Sequence, residues 1–251
     1  MDFSLNKGGR SGARIDLLTE GAASLGIDLT AKQRDQFYLY YDELLVWNDR
    51  VNLTSVTAWE EVQVRHFLDS LSVLLVVNRG EIEAGRFADV GSGAGFPGLP
   101  LKIAFPRSRP NLIEATAKKT AFLTHVAAKL GLEGVEVLTG RAETLAHRPG
   151  LRESFDLVLA RGVAKMAALA EQTLPFCRPG GLVVCHKART QDAEVGAARK
   201  AIETLGGRHE ETREVTLEHL GASRALVVIR KVGQTPAGYP RRPGVPGRRP
   251  L

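Results

Sequence analysis

The residues best placed to do chemistry lie in one glycine-rich stretch and at the end of the apolar run that follows it. Asp89-Val90-Gly91-Ser92-Gly93-Ala94-Gly95-Phe96-Pro97-Gly98 follows the run Phe87 to Val90 and opens a helix. Glycine lets a backbone turn tightly and approach a ligand closely. Pro97 suits a first helical turn. Gly93-x-Gly95-x-x-Gly98 also satisfies the dinucleotide pattern, so a nicotinamide enzyme is an alternative. Two features oppose it. Asp89 stands at the strand end, where a carboxylate suits a ligand carrying positive charge and opposes a pyrophosphate. The loop also holds more glycine than the dinucleotide pattern requires. Glu114, 23 residues after Gly91, ends the next apolar run and can accept two hydrogen bonds from ribose hydroxyls. An acid, a GxGxG loop and a second acid are the pattern of an S-adenosylmethionine (SAM) site. Ala142-Glu143 follows the third apolar run, where an adenine ring is commonly met. Leu174 to Gly181 is like the turn before a fifth strand in such enzymes.

These residues need a parallel sheet to position them, because ligands there bind beyond the carboxyl ends of the strands. The sequence predicts one. Phe87–Val90, Asn111–Ile113, Val135–Leu138, Phe155–Ala160 and Leu182–Cys185 are short apolar runs, with a helix over Lys118–Leu130 among them and another over about 191–205 after the last. Such alternation means a mainly parallel sheet covered on both faces. Thr212–Leu217 and Ala225–Ile229 could close it as an antiparallel hairpin. Upstream the pattern is helical over 15–48 and 59–77, with Thr30 as an N-cap and apolar residues at three–four spacing. The expected division is a helical extension at 1–80 packed on the core, a SAM-binding domain at 81–235, and a Pro/Arg-rich tail at 236–251.

The 251 residues suffice for one large α/β domain, with 43% apolar and 25% charged residues. The longest apolar runs are too short to span a bilayer, and the first fourteen residues lack the apolar block of a signal peptide. With two cysteines lacking CxxC spacing, no disulfide scaffold and no metal site is expected, and Cys177 and Cys185 are expected to be buried packing residues. The expected setting is cytoplasmic. The net charge of +6 is unevenly placed: residues 231–251 carry +5, residues 1–14 carry +2, and the body −1. Basic ends around a neutral body suggest arms for a polyanion.

The stretches DVGSGAGFPGLPLKI, WNDRVNLTSVT, RHFLDSL and the terminal YPRRPGVPGRRPL resemble the RsmG (GidB) family of bacterial 16S ribosomal RNA guanine-N7 methyltransferases, over roughly residues 30–251. The resemblance implies a class I SAM-dependent methyltransferase fold: Rossmann-like, with a seven-stranded mainly parallel sheet. It implies SAM as methyl donor and a guanine in the decoding-region stem-loop of 16S rRNA as acceptor, on naked RNA or a small-subunit assembly particle. It also implies SAM contacts from Gly91, Phe96, Glu114, Ala115, Thr116, Ala142, Glu143 and Arg161, beside the loop residues Asp89, Gly93 and Gly95. Many relatives have an Asp-Ser pair near Glu114-Ala115-Thr116, which this chain lacks. The oligomeric state is not in the sequence; a monomer is the default expectation. A small-molecule methyltransferase and a non-catalytic SAM- or RNA-binding protein remain the alternatives.

Guanine N7 has a free lone pair and no proton to lose, so its methylation needs no general base. The chain has no [ND]PP[YF] motif after the fourth strand, where Ala160-Arg161-Gly162-Val163 stands, and no Pro-Cys dipeptide for pyrimidine C5 chemistry. Arg161 pressed on N7 would oppose the developing cation, so it is expected on the SAM carboxylate, guanine O6 or a phosphate; a structural salt bridge is the alternative. His66, Asp69 and Ser70 fall within about one helical turn. They lack the nucleophile elbow of a hydrolase and either form a helix-surface cluster or border the SAM loop or guanine pocket. Lys187 either contacts phosphate or is solvated. The aromatic stripe Tyr38, Tyr40, Tyr41 and Trp47 is more often core than stacking platform. Catalytic roles are therefore expected of Arg161, Lys187, His66 and Asp69, and RNA binding of Lys187, Arg241, Arg242, Arg248 and Arg249. The prolines from Pro236 onward are expected to keep the tail extended, ready for about four phosphate contacts.

Overall fold

Thr30 begins the helix that ties the N-terminal region to the sheet. In the computed structural model, which describes residues 15–162, 164–188, 192–215 and 224–251, Thr30 Oγ1 accepts from the backbone N–H of Gln33, and Gln33 Oε1 accepts from that of Thr30. This capping box satisfies two otherwise orphaned donors. The basic N-terminal fourteen residues, Val163 and the predicted strand end at Leu217 lie outside the described residues.

Helix α1 (Asp16–Ser24) and helix α2 (Ala31–Val51) come first. They are two helices rather than one, because Gly26 adopts a φ of +74° just after α1. The stretch predicted as one helix over 59–77 is less regular. It runs through α3 (Trp59–Val62), a π-helical turn (Gln63–Leu68), α4 (Asp69–Leu71) and a 3₁₀ turn (Ser72–Leu75). Helix α5 (Arg79–Ala84) then leads into the sheet.

The strands are β1 (Arg86–Val90), β2 (Arg109–Glu114), β3 (Glu136–Thr139), β4 (Phe155–Arg161), β5 (Cys177–Ala188), β6 (Gly207–Val215) and β7 (Arg224–Lys231). The helices among and after them are α6 (Gly98–Ala104), α7 (Ala117–Lys129), α8 (Ala142–Leu145), α9 (Met166–Thr173), α10 (Asp192–Thr204) and α11 (Val245–Arg248). The order across the sheet is β3-β2-β1-β4-β5-β7-β6. β7 runs antiparallel to both its neighbours, and the other pairings are parallel. β1 and β4 are adjacent, so the strand order reverses there, where a ligand crevice is expected. The Pro179-Gly180-Gly181 turn lies inside β5: Phe155 pairs Cys177 and Leu157 pairs Leu182, so the turn bulges out of the ladder.

Alternate strand residues divide the core. Phe87, Leu112, Leu157, Leu159, Val184 and Val228 face the N-terminal helices with α6 and α7. Ala88, Val90, Ile113, Val158, Ala160, Cys185 and Val227 face α9 and α10 on the other side. The N-terminal helices therefore share one core with the sheet. The aromatic stripe belongs to that core: Tyr40 is fully buried, Tyr38 and Tyr41 pack on Trp59, and Trp47 packs on Phe122. Cys177 and Cys185 are free and buried, and burial pushes both thiols up to about 12.

The tail departs from the expected extended form. Beyond β7 it folds back on the molecule, with Tyr239 and Leu251 against the α9–α10 side of the core and a short helix at α11. Among the described residues no helix is long and apolar enough to cross a membrane, and no group of three or more metal-ligating side chains is found.

Candidate active site

The glycine loop is held to the neighbouring strand by its own backbone. Gly91 and Ser92 donate to the carbonyl of Ile113 at 2.8 and 3.1 Å, and Gly93 donates to Oε2 of Glu114 at 3.0 Å. Oε1 of Glu114 accepts from Thr116 at 2.8 Å. Glu114 thus ties the loop to the start of α7. A carboxylate offers about four acceptor positions, so capacity remains for ribose hydroxyls. Gly95 has a φ of +98°, and a Cβ there would stand 2.6 Å from the Tyr40 hydroxyl. That hydroxyl donates to the carbonyl of Ala94 at 2.5 Å.

A cleft of about 200 Å³ opens at the carboxyl ends of β1, β2 and β3. It is lined by Gly91, Glu114, Ala115, Ala142 and Glu143, all anticipated, with Gln172 among the rest. Gly91 has a φ of +76° and open space where a Cβ would project, so its backbone is bare toward the cleft. A bare loop backbone, a ribose-directed carboxylate and a second carboxylate at the adenine end fit SAM.

Asp89 corrects the sequence argument. It does not line this cleft. It is fully buried beneath the loop, and its Oδ2 accepts from the backbone N–H of Gly98 at 2.9 Å. It holds the start of α6 rather than facing a ligand. Burial pushes its carboxyl up to about 7, partly offset by the Gly98 bond. Gly98 is required here, since a Cβ would come within 2.5 Å of Leu112.

Phe96 joins the loop to the N-terminal region. Its ring stacks on His66 at 4.6 Å between centroids and on Tyr40 at 5.6 Å. The π-helical turn carries His66 to this position, and such turns recur at functional sites. Arg161, the last residue of β4, lies over the same ring. Its Nε pairs with Asp69 at 3.2 Å, and its Nη2 donates to Arg65 O at 2.8 Å and His66 Nδ1 at 3.0 Å. His66, Asp69 and Arg161 therefore meet at the loop rather than on an open helix surface. Ser70 stands apart from any relay, donating to the carbonyl of His66 at 2.5 Å. Burial lowers the His66 pKa to about 3, with Arg161 as the next cause.

Lys187 is neither solvated nor open to phosphate. It lies within β5, pairs with Glu194 at 2.8 Å and donates to the carbonyl of Ala164 at 2.8 Å. Glu194 also accepts from the N–H of Met166, so the pair pins the loop between β4 and α9. Arg241 is likewise engaged, by Glu171. Arg242, Arg248 and Arg249 are exposed.

Sequence reasoning missed Tyr40 as a support of the loop, Thr54 as the partner of His66 Nε2 at 2.7 Å, and Gln172 in the cleft. Thr54 had a signal, since it lies in the WNDRVNLTSVT stretch. Asn48 Oδ1 accepts from the backbones of Leu53 and Thr54 and shapes that turn. Gln172 had none.

A seven-stranded sheet of this order, with a glycine loop after β1 and acids after β2 and β3, defines a class I SAM-dependent methyltransferase. The fold is shared with a putative O-methyltransferase from Klebsiella pneumoniae, at a TM-score of 0.52 and 16% identity over 77% of this chain and 90% of that one. The family described as GidB, rRNA small subunit methyltransferase G, matches residues 33–226. The chain is 47% identical to the ribosomal RNA small subunit methyltransferase G of Dehalococcoides mccartyi strain CBDB1, over 93% of this chain and 98% of that protein. It is 48% identical to the protein of that name from Roseiflexus sp. strain RS-1, over 94% of this chain and all of that one. The chain belongs to this rRNA small subunit methyltransferase G family.

Proposed function

We propose that this protein transfers the methyl group of SAM to N7 of a guanine in 16S rRNA, in the decoding-region stem-loop. The observation that carries this reading is the cleft at the strand ends, lined by Glu114, Glu143 and the bare loop backbone at Gly91. SAM supplies a methyl group on a sulfonium, which a nitrogen lone pair can attack without losing a proton. Glu114 and Glu143 hold the nucleoside end. Asp89, Phe96 and Tyr40 fix the loop. Alignment of donor and acceptor is then the main catalytic effect.

The side chains around Phe96 suit an acceptor that needs no base. His66 stays neutral at physiological pH and Arg161 is turned inward, away from the role of ligand to N7. Arg161, Asp69, His66 and Lys187 act as positioning residues for the loop and the β4–α9 connection. N7 lies on the major-groove edge, which is inaccessible in A-form RNA, so the guanine is presented unpaired or flipped. The helices of residues 15–80 support the loop from outside the 81–235 domain, and the exposed arginines of 236–251 face RNA. In this reading a single chain acts in the cytoplasm, on rRNA or a small-subunit particle.

Methyl-labelled SAM incubated with small subunits, naked 16S rRNA and a small-molecule pool tests the reading. Label recovered as 7-methylguanine in one RNA fragment is expected. SAM binding with no labelled RNA would overturn it.

A further inference from the structure

Glu143 belongs to two cavities. Its side chain is 1% exposed, lines the cofactor cleft, and also lines a hollow of about 590 Å³ under the C-terminal segment. Its Oε1 accepts from the backbone N–H of Gly244 at 3.1 Å. Gly244 adopts a φ of +81°, a conformation that favours glycine. Three residues earlier, Arg241 grips Glu171. Its backbone N–H donates to Oε1 at 2.7 Å, and its Nη2 donates to Oε2 at 2.6 Å. Glu171 is fully buried, and the next residue, Gln172, lines the cofactor cleft.

The rest of the segment is tied to the same neighbourhood. His147 Nε2 meets the carbonyl of Pro240 at 2.9 Å, and Arg152 donates to the carbonyls of Tyr239 and Thr235, each at 2.8 Å. The stretches it grips, 143–153 and 171, adjoin or include the residues that wall the adenine end. An RNA arm would leave Arg241 free; here the guanidinium neutralises a buried acid.

We propose that residues 235–251 form a strap that completes the SAM site, with Gly244 and Arg241 as positioning residues acting through Glu143 and through Glu171-Gln172. The proposal rests on the SAM methyltransferase reading above. Without the Gly244 N–H, the buried Glu143 carboxylate loses a charge-assisted bond and its fixed orientation toward the adenine end. Without Arg241, Glu171 is left buried and uncompensated, and the α9 stretch carrying Gln172 shifts to reach water.

The test compares the full-length protein with Gly244→Ala and Arg241→Ala. SAM affinity is measured by calorimetry, and KM for SAM, KM for RNA and kcat by labelling of the rRNA substrate. A Cβ on Gly244 meets Arg248 Nη2 at 3.2 Å at a φ that alanine disfavours, so the substitution strains the turn that presents the Gly244 N–H to Glu143. Each variant is expected to weaken SAM binding about tenfold, the scale of one hydrogen bond to a charged group. KM for SAM rises in step, while KM for RNA and kcat at saturating SAM stay within about twofold. If Arg241→Ala fails to fold, Gly244→Ala carries the test. SAM affinity within about twofold of the parent overturns the strap, whether the variants lose thermal stability or RNA affinity. A parent protein that binds no SAM overturns the methyltransferase reading itself, and is seen before any variant is compared.

Discussion

Arg161 donates through Nη2 to Nδ1 of His66 at 3.0 Å, and this contact decides where the imidazole proton sits. A guanidinium has no acceptor, so Nδ1 must offer its lone pair. The Arg65 carbonyl also lies 3.0 Å from Nδ1, but a proton there would face the guanidinium. The ring is therefore neutral and carries its proton on Nε2, donating to Thr54 Oγ1. Nitrogen-detected NMR should show a neutral Nε2–H tautomer for His66 down to about pH 4, since its pKa is lowered to about 3. The pH profile of kcat should then show no His66 inflection between about pH 5 and 8, where an unperturbed histidine titrates. A titrating imidazolium near neutral pH would refute the assignment.

The same cluster predicts how stability varies with pH. His66 and His186 are held neutral by burial, with pKa values lowered from 6.5 to about 3 and about 4. Their contribution is present above pH 6.5 and is lost as the pH falls toward those values. Asp89 acts oppositely. Its pKa is raised from 3.8 to about 7, so its contribution is full below pH 3.8 and is lost as the pH rises through 7. Each proton changes the slope by about 1.4 kcal/mol per pH unit. Asp89→Asn should therefore steepen the loss of stability from pH 6.5 to about 4, and His186→Phe should flatten it. Denaturant unfolding across that range checks both, and unchanged slopes would contradict the burial account.

Asp69 is 1% exposed at its side chain, and Arg161 is its close ion-pair partner; Arg224 stands farther off at 3.8 Å. Arg161→Ala should cost about 3–5 kcal/mol in denaturant unfolding, because breaking a buried pair strands a charge. Arg161→Lys should recover little, since an ammonium cannot span Asp69, the Arg65 carbonyl and His66 together. A loss below about 1 kcal/mol would mean that water or Arg224 already compensates Asp69.

Most of the site was legible because its chemistry is local in sequence. Gly91, Glu114, Ala142 and Glu143 each stand at or just after the end of a strand, and short apolar runs mark those strands. What escaped was non-local. Asp89 was assigned to the ligand because a strand-end carboxylate has no visible partner in sequence; its partner, Gly98, is reached only when the loop folds back. The sequence leaves Lys187 between a phosphate contact and solvent, because nothing in its own stretch announces Glu194 across the loop. The π-helical turn at Gln63–Leu68 has no separate pattern from an α-helix, yet it sets His66 against Phe96. The Pro-rich composition beyond Pro236 suggested an extended chain, and Glu171 and Glu143, distant in sequence, hold it down instead.

Glu114 joins three parts of the cleft: the loop at Gly93, the start of α7 at Thr116, and the space offered to a ribose. Glu114→Gln keeps the shape but replaces one acceptor oxygen with a donor and removes the charge. SAM affinity by calorimetry should fall about 10- to 150-fold, as for one hydrogen bond to a charged group at about 1.5–3 kcal/mol. Thermal stability without SAM should fall less than in Glu114→Ala, which leaves both backbone donors unpaired. Equal SAM affinity in Glu114→Gln and the parent would remove Glu114 from the cofactor site.

The basic tail has fewer hands free for RNA than its sequence suggested. Lys231 is fully buried against Glu153, and Arg241 is spent on Glu171. Arg242, Arg248 and Arg249 remain exposed. If these three meet phosphates, replacing all of them with Gln should flatten the log-affinity against log-salt slope by about 2 on single-stranded RNA, at about 0.7 per contact. SAM affinity should stay unchanged, because the inward contacts at Arg241 and Gly244 are intact. A change near 3 would mean that the three substitutions also cost a phosphate contact made elsewhere on the protein. No change at all would assign the polyanion contacts to another surface.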